Sequence, residues 1–305
     1  LRTGFNALDK ITSGWQNSDL VIIAARPAMG KTAFVLSMAK NMAVNFNIPV
    51  ALFSLEMSNV QLVNRMIVNV CEIPGEKIKS GRLESYEWEQ LDFKIKELYD
   101  APVYVDDTPS LSVFELRTKA RRLVREHGIK ILIIDYLQLM NASGMNFGSR
   151  EQEVSMISRS LKGLAKELNI PIIALSQLNR GVENRQGAEG KRPQLADLRE
   201  SGAIEQDADM VCFIHRPEYY KITEDERGNS LIGLAEIIVA KHRNGATGDV
   251  RLRFKSEFAK FMNVDEDVSI REFSSGMNGD MNGIPPIPPA GNDFLSAGVN
   301  NEMPF

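Results

Sequence analysis

Cysteine is almost missing: the 305 residues contain two, Cys71 and Cys212. Neither has a second Cys or a His at metal-ligand spacing, which excludes a disulfide framework and a zinc ribbon and suits a reducing cytosol. Both thiols read as buried and inert. The three histidines, His127, His215 and His242, are scattered without metal spacing. Long hydrophobic runs are absent too. The longest, Leu20–Ala25, has six residues, against the roughly 18 that cross a bilayer, so no membrane span is expected. The chain opens on Leu1 with no charged, then apolar, then small-residue leader; it is expected to lack a signal peptide and to be a piece of a longer chain. Nor does one sign of charge dominate: 36 Lys and Arg face 40 Asp and Glu, a net of -4. Such a balance speaks for neither a nucleic-acid arm nor an acidic coat.

Bulk composition is ordinary, with 43% hydrophobic and 25% charged residues, which excludes a fibrous or wholly disordered chain. The length suits about two domains, or one large α/β domain with a tail. The end of the sequence favours the second. From 274 to 305 there is no Lys or Arg, and there are five Gly, five Pro and three acids (Asp280, Asp293, Glu302). Poor in periodic apolar residues, this Gly/Pro-rich acidic segment is expected to be disordered. Residues 1–273 then hold 36 basic against 37 acidic groups, a net of -1. The expected folded domain is neutral.

Within it, short apolar runs at 20–25, 50–55, 103–106, 131–135, 172–176, 210–215 and 234–241 alternate with helical periodicity at 31–45, 58–70, 85–99, 112–127 and 149–168. Ser58 with Gln61 and Ser112 with Glu115 have capping-box spacing. The runs are apolar at successive positions, as expected for a mainly parallel sheet covered by helices on both faces. The pattern predicts a wound α/β domain with its ligand at the carboxyl ends of the strands. The run at 250–254 is expected to fold back as an antiparallel edge hairpin.

The first run leads straight into Ala25-Arg26-Pro27-Ala28-Met29-Gly30-Lys31-Thr32-Ala33, followed by helical periodicity. This is a P-loop with Ala25 in place of its usual first Gly. Its amides cradle a β-phosphate, Lys31 reaches the β and γ oxygens, and Thr32 holds Mg²⁺. Three strand ends supply companions. Asp135 closes the run at 131–135 as a Walker B acid would, or as a turn or cap acid. Glu56 follows the second run as a candidate for orienting the attacking water, or as an acid at the next helix start. Gln177 follows the fifth, where it would touch a γ-phosphate. Lys241 and Arg243 end the seventh run with no acid nearby in sequence. They suit an arginine finger reaching a neighbour's nucleotide, worth about 10³ to 10⁵ in rate, a phosphate contact to nucleic acid, or a solvated strand end. Two long non-periodic stretches, 141–149 and 179–202, have the length of binding loops or disordered segments. The second carries Arg180, Arg185, Lys191, Arg192 and Arg199 against four acids, too little charge to establish nucleic-acid binding. The basic helix with Arg117, Lys119, Arg121, Arg122 and Arg125 is expected to be a solvated face.

Taken together, the motifs resemble the C-terminal motor domain of the DnaB-family replicative DNA helicases, within the RecA-like P-loop ATPases. The resemblance runs through Thr3-Gly4-Phe5-Asn6-Ala7-Leu8-Asp9, the P-loop, Ser54-Leu55-Glu56-Met57-Ser58, Asp135-Tyr136-Leu137-Gln138-Leu139 and Ser176-Gln177-Leu178-Asn179-Arg180. It continues through Asp197-Leu198-Arg199-Glu200-Ser201-Gly202-Ala203-Ile204-Glu205-Gln206-Asp207-Ala208-Asp209 and Lys241-His242-Arg243-Asn244-Gly245. Ala25 is common in this family. The resemblance implies ATP and Mg²⁺ as cofactors, Lys31 and Thr32 as triphosphate and Mg²⁺ ligands, Asp135 as Walker B acid, Glu56 as catalytic glutamate and Gln177 as sensor. Lys241 and Arg243 would act in trans. Arg199, Glu200 and Gly202 would lie on the loop holding single-stranded DNA in a homo-hexameric ring that moves 5′ to 3′ and excludes the other strand. Six weakly basic loops around one axis would bind a strand although each subunit is neutral. A primase and a helicase loader are implied for the longer protein, in a bacterial cytoplasm. A RecA-like recombinase, in which ATP switches a filament, is the alternative, and the 197–209 segment argues against it.

Overall fold

The computed structural model describes residues 1–142, 147–185, 187–198 and 202–265. The boundary expected at 273/274 and the tail at 274–305 lie outside the described residues. Nine strands form one sheet: β1 (Leu20–Ala25), β2 (Val50–Ser54), β3 (Val103–Asp106), β4 (Ile131–Asp135), β5 (Ile172–Gln177), β6 (Met210–His215), β7 (Leu234–His242), β8 (Gly248–Lys255) and β9 (Lys260–Met262). Their order is β3-β2-β4-β5-β1-β6-β7-β8-β9. β3 through β6 run parallel, and β7, β8 and β9 add an antiparallel edge. The RecA-like α/β expectation holds, and β1 sits centrally, between β5 and β6.

The strands are apolar at successive positions because both faces are covered. Val21 and Ile23 point into one core with Phe34, Leu62 and Met66, whereas Leu20 and Ile22 point into the other with Leu116, Ile157 and Leu161. The first layer is built from α1 (Asn6–Thr12), α2 (Lys31–Lys40) and α3 (Asn59–Cys71), followed by α4 (Gly75–Ser80) and α5 (Ser85–Tyr99). The second contains α6 (Val113–His127), α7 (Arg150–Leu168) and α9 (Gly202–Asp207), whose Ile204 joins that core, while the short α8 (Gly187–Gly190) lies between β5 and α9 in the chain. Phe5 stacks on Phe34, which meets Phe261 of β9 edge-on, 5.5 Å between centroids, so the last strand closes the core over α2.

Local signals match their elements. Ser58 and Gln61 form both capping-box hydrogen bonds, whereas Ser112 only accepts from the Glu115 amide. The helix expected at 31–45 is α-helical to Lys40, with a π-helical last turn at Asn41–Asn45. The second strand ends at Ser54, one residue before the expected end, and the Leu55 amide still donates to the Asp135 carbonyl of β4 at 2.7 Å. The stretch at 179–202 is less irregular than expected: 3₁₀ turns occupy Arg180–Asn184 and Leu195–Asp197, flanking α8. The basic face of α6 is ion-paired rather than merely solvated. Arg117 and Arg121 share Glu167 of α7, and Lys119 reaches Asp106.

Candidate active site

β1 delivers the chain at Ala25 to the P-loop, which turns through left-handed conformations at Ala28 (φ +62) and Gly30 (φ +97). A side chain at residue 30 would meet strain and the Phe261 ring, 3.1 Å from an added Cβ, so glycine is required there on both counts. Gly30 caps α2 without a side-chain hydrogen bond. The first-turn amides of α2 therefore point into the opening at the carboxyl end of the sheet, where helix geometry favours an anion.

That opening is a cleft of about 500 Å³, lined by Lys31, Thr32, Glu56, Asp135 and Gln177 among others, within the size range of small-molecule sites. Pro27, Ala28, Gly30 and Ala33 also border it. Lys31 Nζ lies 3.4 Å from the Ala25 carbonyl; burial pushes its pKa down, while Asp135 and Glu56 oppose that shift. Thr32 donates its hydroxyl to Asp135 Oδ2 at 2.7 Å. Asp135 is 1% exposed, and its Oδ1 is buried without a hydrogen-bond partner. Burial raises its pKa, against the Thr32 hydrogen bond and the Lys31 charge. An unpartnered carboxylate oxygen beside a hydroxyl is the donor set a hard, oxygen-seeking cation takes, so these residues fit Mg²⁺.

Glu56 faces the cleft instead of capping the next helix. That start is satisfied by the Ser58 box and by Asp107, which accepts from the Asn59 amide at 2.8 Å. Gln177 lies opposite Ala25 in the β1–β5 ladder. Gln138 clips its backbone: Nε2 donates to Ser176 Oγ (2.8 Å) and to the Gln177 carbonyl (3.3 Å), and Oε1 accepts from the Gln177 amide. Two residues of the P-loop segment turn their side chains away from the cleft, which leaves only their backbone to a phosphate. Met29 is buried in the core. Arg26, 5% exposed, turns its guanidinium to Glu183 and the Leu178 carbonyl.

Lys241 and Arg243 lie at the other end of the sheet. The Arg243 amide donates to the Asp209 carbonyl and the Asp209 amide to that of Leu20, the first residue of β1. A strand of six residues, roughly 16 Å, separates that level from the P-loop. The absence of a neighbouring acid in sequence does not survive folding: Arg243 lies 3.5 Å from Asp209. Its guanidinium also donates to the Gln206 carbonyl, and Lys241 donates to that of Glu205 at 2.5 Å. Both cations thus rest on the last turn of α9, where the helix dipole favours positive charge. Gly202 begins α9; Arg199 and Glu200 lie outside the described residues. Three cations of the 179–202 stretch are committed within the chain, Arg185 to Asp197, Lys191 to the Glu183 carbonyl and Arg192 to Glu236 and Asp249.

Sequence reasoning missed Arg65 and Arg216. Arg65 lines the cleft from α3, three residues after buried Leu62 and four before buried Asn69, a cation on the edge of an apolar stripe. Arg216 follows β6 as Gln177 ends β5; it donates to the Ala28 carbonyl at 3.3 Å and its guanidinium sits 4.0 Å from the Phe254 ring centroid.

Residues 1–263 match the family model described as DnaB-like helicase C terminal domain. The chain is 51% identical over 263 residues to the replicative DNA helicase DnaB of Geobacillus stearothermophilus and 48% identical over 264 residues to the replicative DNA helicase DnaC of Bacillus subtilis. Each match covers 86% of this chain and 56% of the relative. The chain thus spans about half the length of these curated relatives. Among solved structures, one described as an ATPase domain superposes with a TM-score of 0.79 at 42% identity, covering 86% of this chain and 90% of that one. A DnaB-like replicative helicase studied with primase gives the same TM-score and identity, covering 61% of its chain. With a P-loop, a carboxylate at the tip of β4 and a glutamate beyond β2 around one cleft, and with this similarity along residues 1–263, the chain belongs to the DnaB-like helicase C-terminal domain family.

Proposed function

We propose that this chain is the motor domain of a replicative DNA helicase, hydrolysing ATP to move along single-stranded DNA. The observation carrying this reading is the convergence of Lys31, Thr32, Glu56, Asp135 and Gln177, from the ends of four strands, on the cleft above α2. Lys31 and the α2 amides bind the β- and γ-phosphates. Thr32 and Asp135 would hold Mg²⁺, which when bound offsets charge on the phosphate oxygens. Glu56, on the cleft wall, orients the attacking water, and Gln177 reads the presence of the γ-phosphate. Arg65 adds positive charge from the same subunit.

Lys241 and Arg243 complete the site of a neighbouring copy, since a strand's length separates them from their own. This supports a homo-oligomeric ring, which the family resemblance implies to be a hexamer. Arg199, Glu200 and Gly202 supply the strand-binding loop, mostly to phosphates. For the longer protein we propose primase and helicase-loader partners in the bacterial cytoplasm; among the described residues no helix is long and apolar enough to cross a membrane. The test is ATP turnover with Mg²⁺, with and without single-stranded DNA, alongside oligomer mass. Stimulation by DNA in an assembled ring is expected. A chain that assembles, binds DNA and leaves ATP intact would refute the reading.

A further inference from the structure

Arg26 occupies the step between the last residue of β1 and the turn of the P-loop, yet its side chain leaves the phosphate cleft. It is almost enclosed, and all three of its guanidinium contacts reach the segment after β5. Nε and Nη2 meet Glu183 Oε1 at 2.9 and 2.8 Å, and Nη1 donates to the Leu178 carbonyl at 2.7 Å. The Leu178 amide donates to the Ala25 carbonyl at 3.1 Å, so the β1–β5 ladder is prolonged one step beyond Gln177 and continued by the guanidinium.

Beyond that step the segment is laced to itself. Lys191 donates to the Glu183 carbonyl. Arg185 pairs with Asp197, whose Oδ2 also accepts from the Gln194 amide at 2.7 Å. The Asn179 amide returns to the Asp197 carbonyl at 3.3 Å. Residues 178–185 and 191–197 are therefore fastened to the loop that would hold the phosphates at Leu178, where the ladder ends, and beyond it by the side chain of Glu183 on Arg26. In sequence they lead to Leu198 and the residues assigned to the strand.

Stability does not account for this pair. Apolar side chains of like volume replace enclosed ion pairs at little cost, while losing one partner strands the other charge; such pairs are best attested as devices of registry. Here the arginine side chain is 6% exposed and the glutamate 39%, so the bond is sealed on the phosphate side and open to solvent on the loop side.

We propose that Glu183 is a positioning residue that, through Arg26, ties the segment entering the DNA loop to the phosphate loop, so that nucleotide and strand occupancy are felt at each other's site. The proposal rests on the single-stranded DNA reading given above. Its test is ATP turnover by the 305-residue chain as assembled, with and without single-stranded DNA, for wild type, Glu183→Ala and Glu183→Gln. Glu183→Ala strands the Arg26 charge and is expected to melt lower than wild type. Assayed well below that melting temperature, it is expected to keep its unstimulated turnover and its KM for ATP and to lose roughly fivefold or more of the DNA-stimulated kcat, the lower range of coupling between sites. Glu183→Gln, whose amide oxygen still accepts from Arg26, is expected to recover part of that loss. Full stimulation of Glu183→Ala would overturn the proposal. So would an equal fall of stimulated and unstimulated turnover together with the melting temperature, which marks a merely structural pair. Absence of stimulation in the wild type would instead overturn the DNA reading itself, and the proposal with it.

Discussion

Replacing Asp135 by Asn separates what the cleft costs in stability from what it does. The Asp135 carboxylate is 1% exposed, with one oxygen bonded to Thr32 and the other buried without a partner. A buried polar atom without a partner costs about 1–3 kcal/mol whether it is a carboxylate oxygen or an amide nitrogen, so what Asn changes is the charge. The raised pKa of Asp135 already includes the attraction of Lys31, so the ionised form is a net burden on the fold. Asn keeps an oxygen for Thr32 and removes the charge. Its amide nitrogen takes the unpartnered place, so the gain comes from the lost charge alone: the nucleotide-free, chelator-treated variant is expected to melt above wild type at pH 7, by about 2–4 °C for each kcal/mol in a domain of this size. The sign with pH follows from linkage. A carboxyl whose folded pKa is raised contributes stability at low pH that is lost as pH rises through the folded value. The gap between variant and wild type should therefore vanish below about pH 4, the ordinary Asp range, and open above it. Thermal melting followed by circular dichroism across pH checks this, with ATP turnover in parallel expected to collapse. An Asn variant that melts below wild type at pH 7 without nucleotide would refute the reasoning.

Lys31→Ala should abolish hydrolysis while leaving the melting temperature near wild type, because the ammonium pays a desolvation penalty in its present place; turnover and melting measured together check this. Doping Arg243→Ala subunits into wild type should lower turnover more than in proportion to their fraction; strict proportionality would exclude action in trans. His215, pushed down to about 4 by burial with Arg192 assisting, favours the neutral ring in the fold. Its contribution is complete above the unfolded value near 6.5 and is lost as pH falls toward about 4, roughly 3 kcal/mol at 1.4 kcal/mol per unit. His215→Phe should flatten acid unfolding over that interval, as denaturant titrations at several pH values would show.

The strands and long helices were legible because their apolar periods are uninterrupted and their caps are side-chain encoded, as at Ser58. The P-loop and the acids at strand ends were legible because strand ends converge in this topology. The short elements were not. α1 starts at Phe5 without a side-chain cap, α4 has six residues and none of them buried, and β9 has three residues. Arg26 shows the other limit. Its place in the motif suggested a phosphate ligand, but its partner Glu183 lies 157 positions on, and only the parallel pairing of β1 with β5 brings them together. Asp209 beside Arg243 was invisible for the same reason.

The placement of Lys241 and Arg243 at the amino end of the sheet, with the cleft at the carboxyl end, has a numerical consequence under the proposed trans role. Each chain carries the two halves of a catalytic centre facing opposite neighbours, so a lone chain completes none and a two-fold symmetric pair has no general way to complete both. Only head-to-tail association does. An open row leaves one half unmatched at each end, and closure turns both into one more working centre. Turnover per chain would then count closed rings against broken ones, and the enzyme would report its own assembly before any strand is bound.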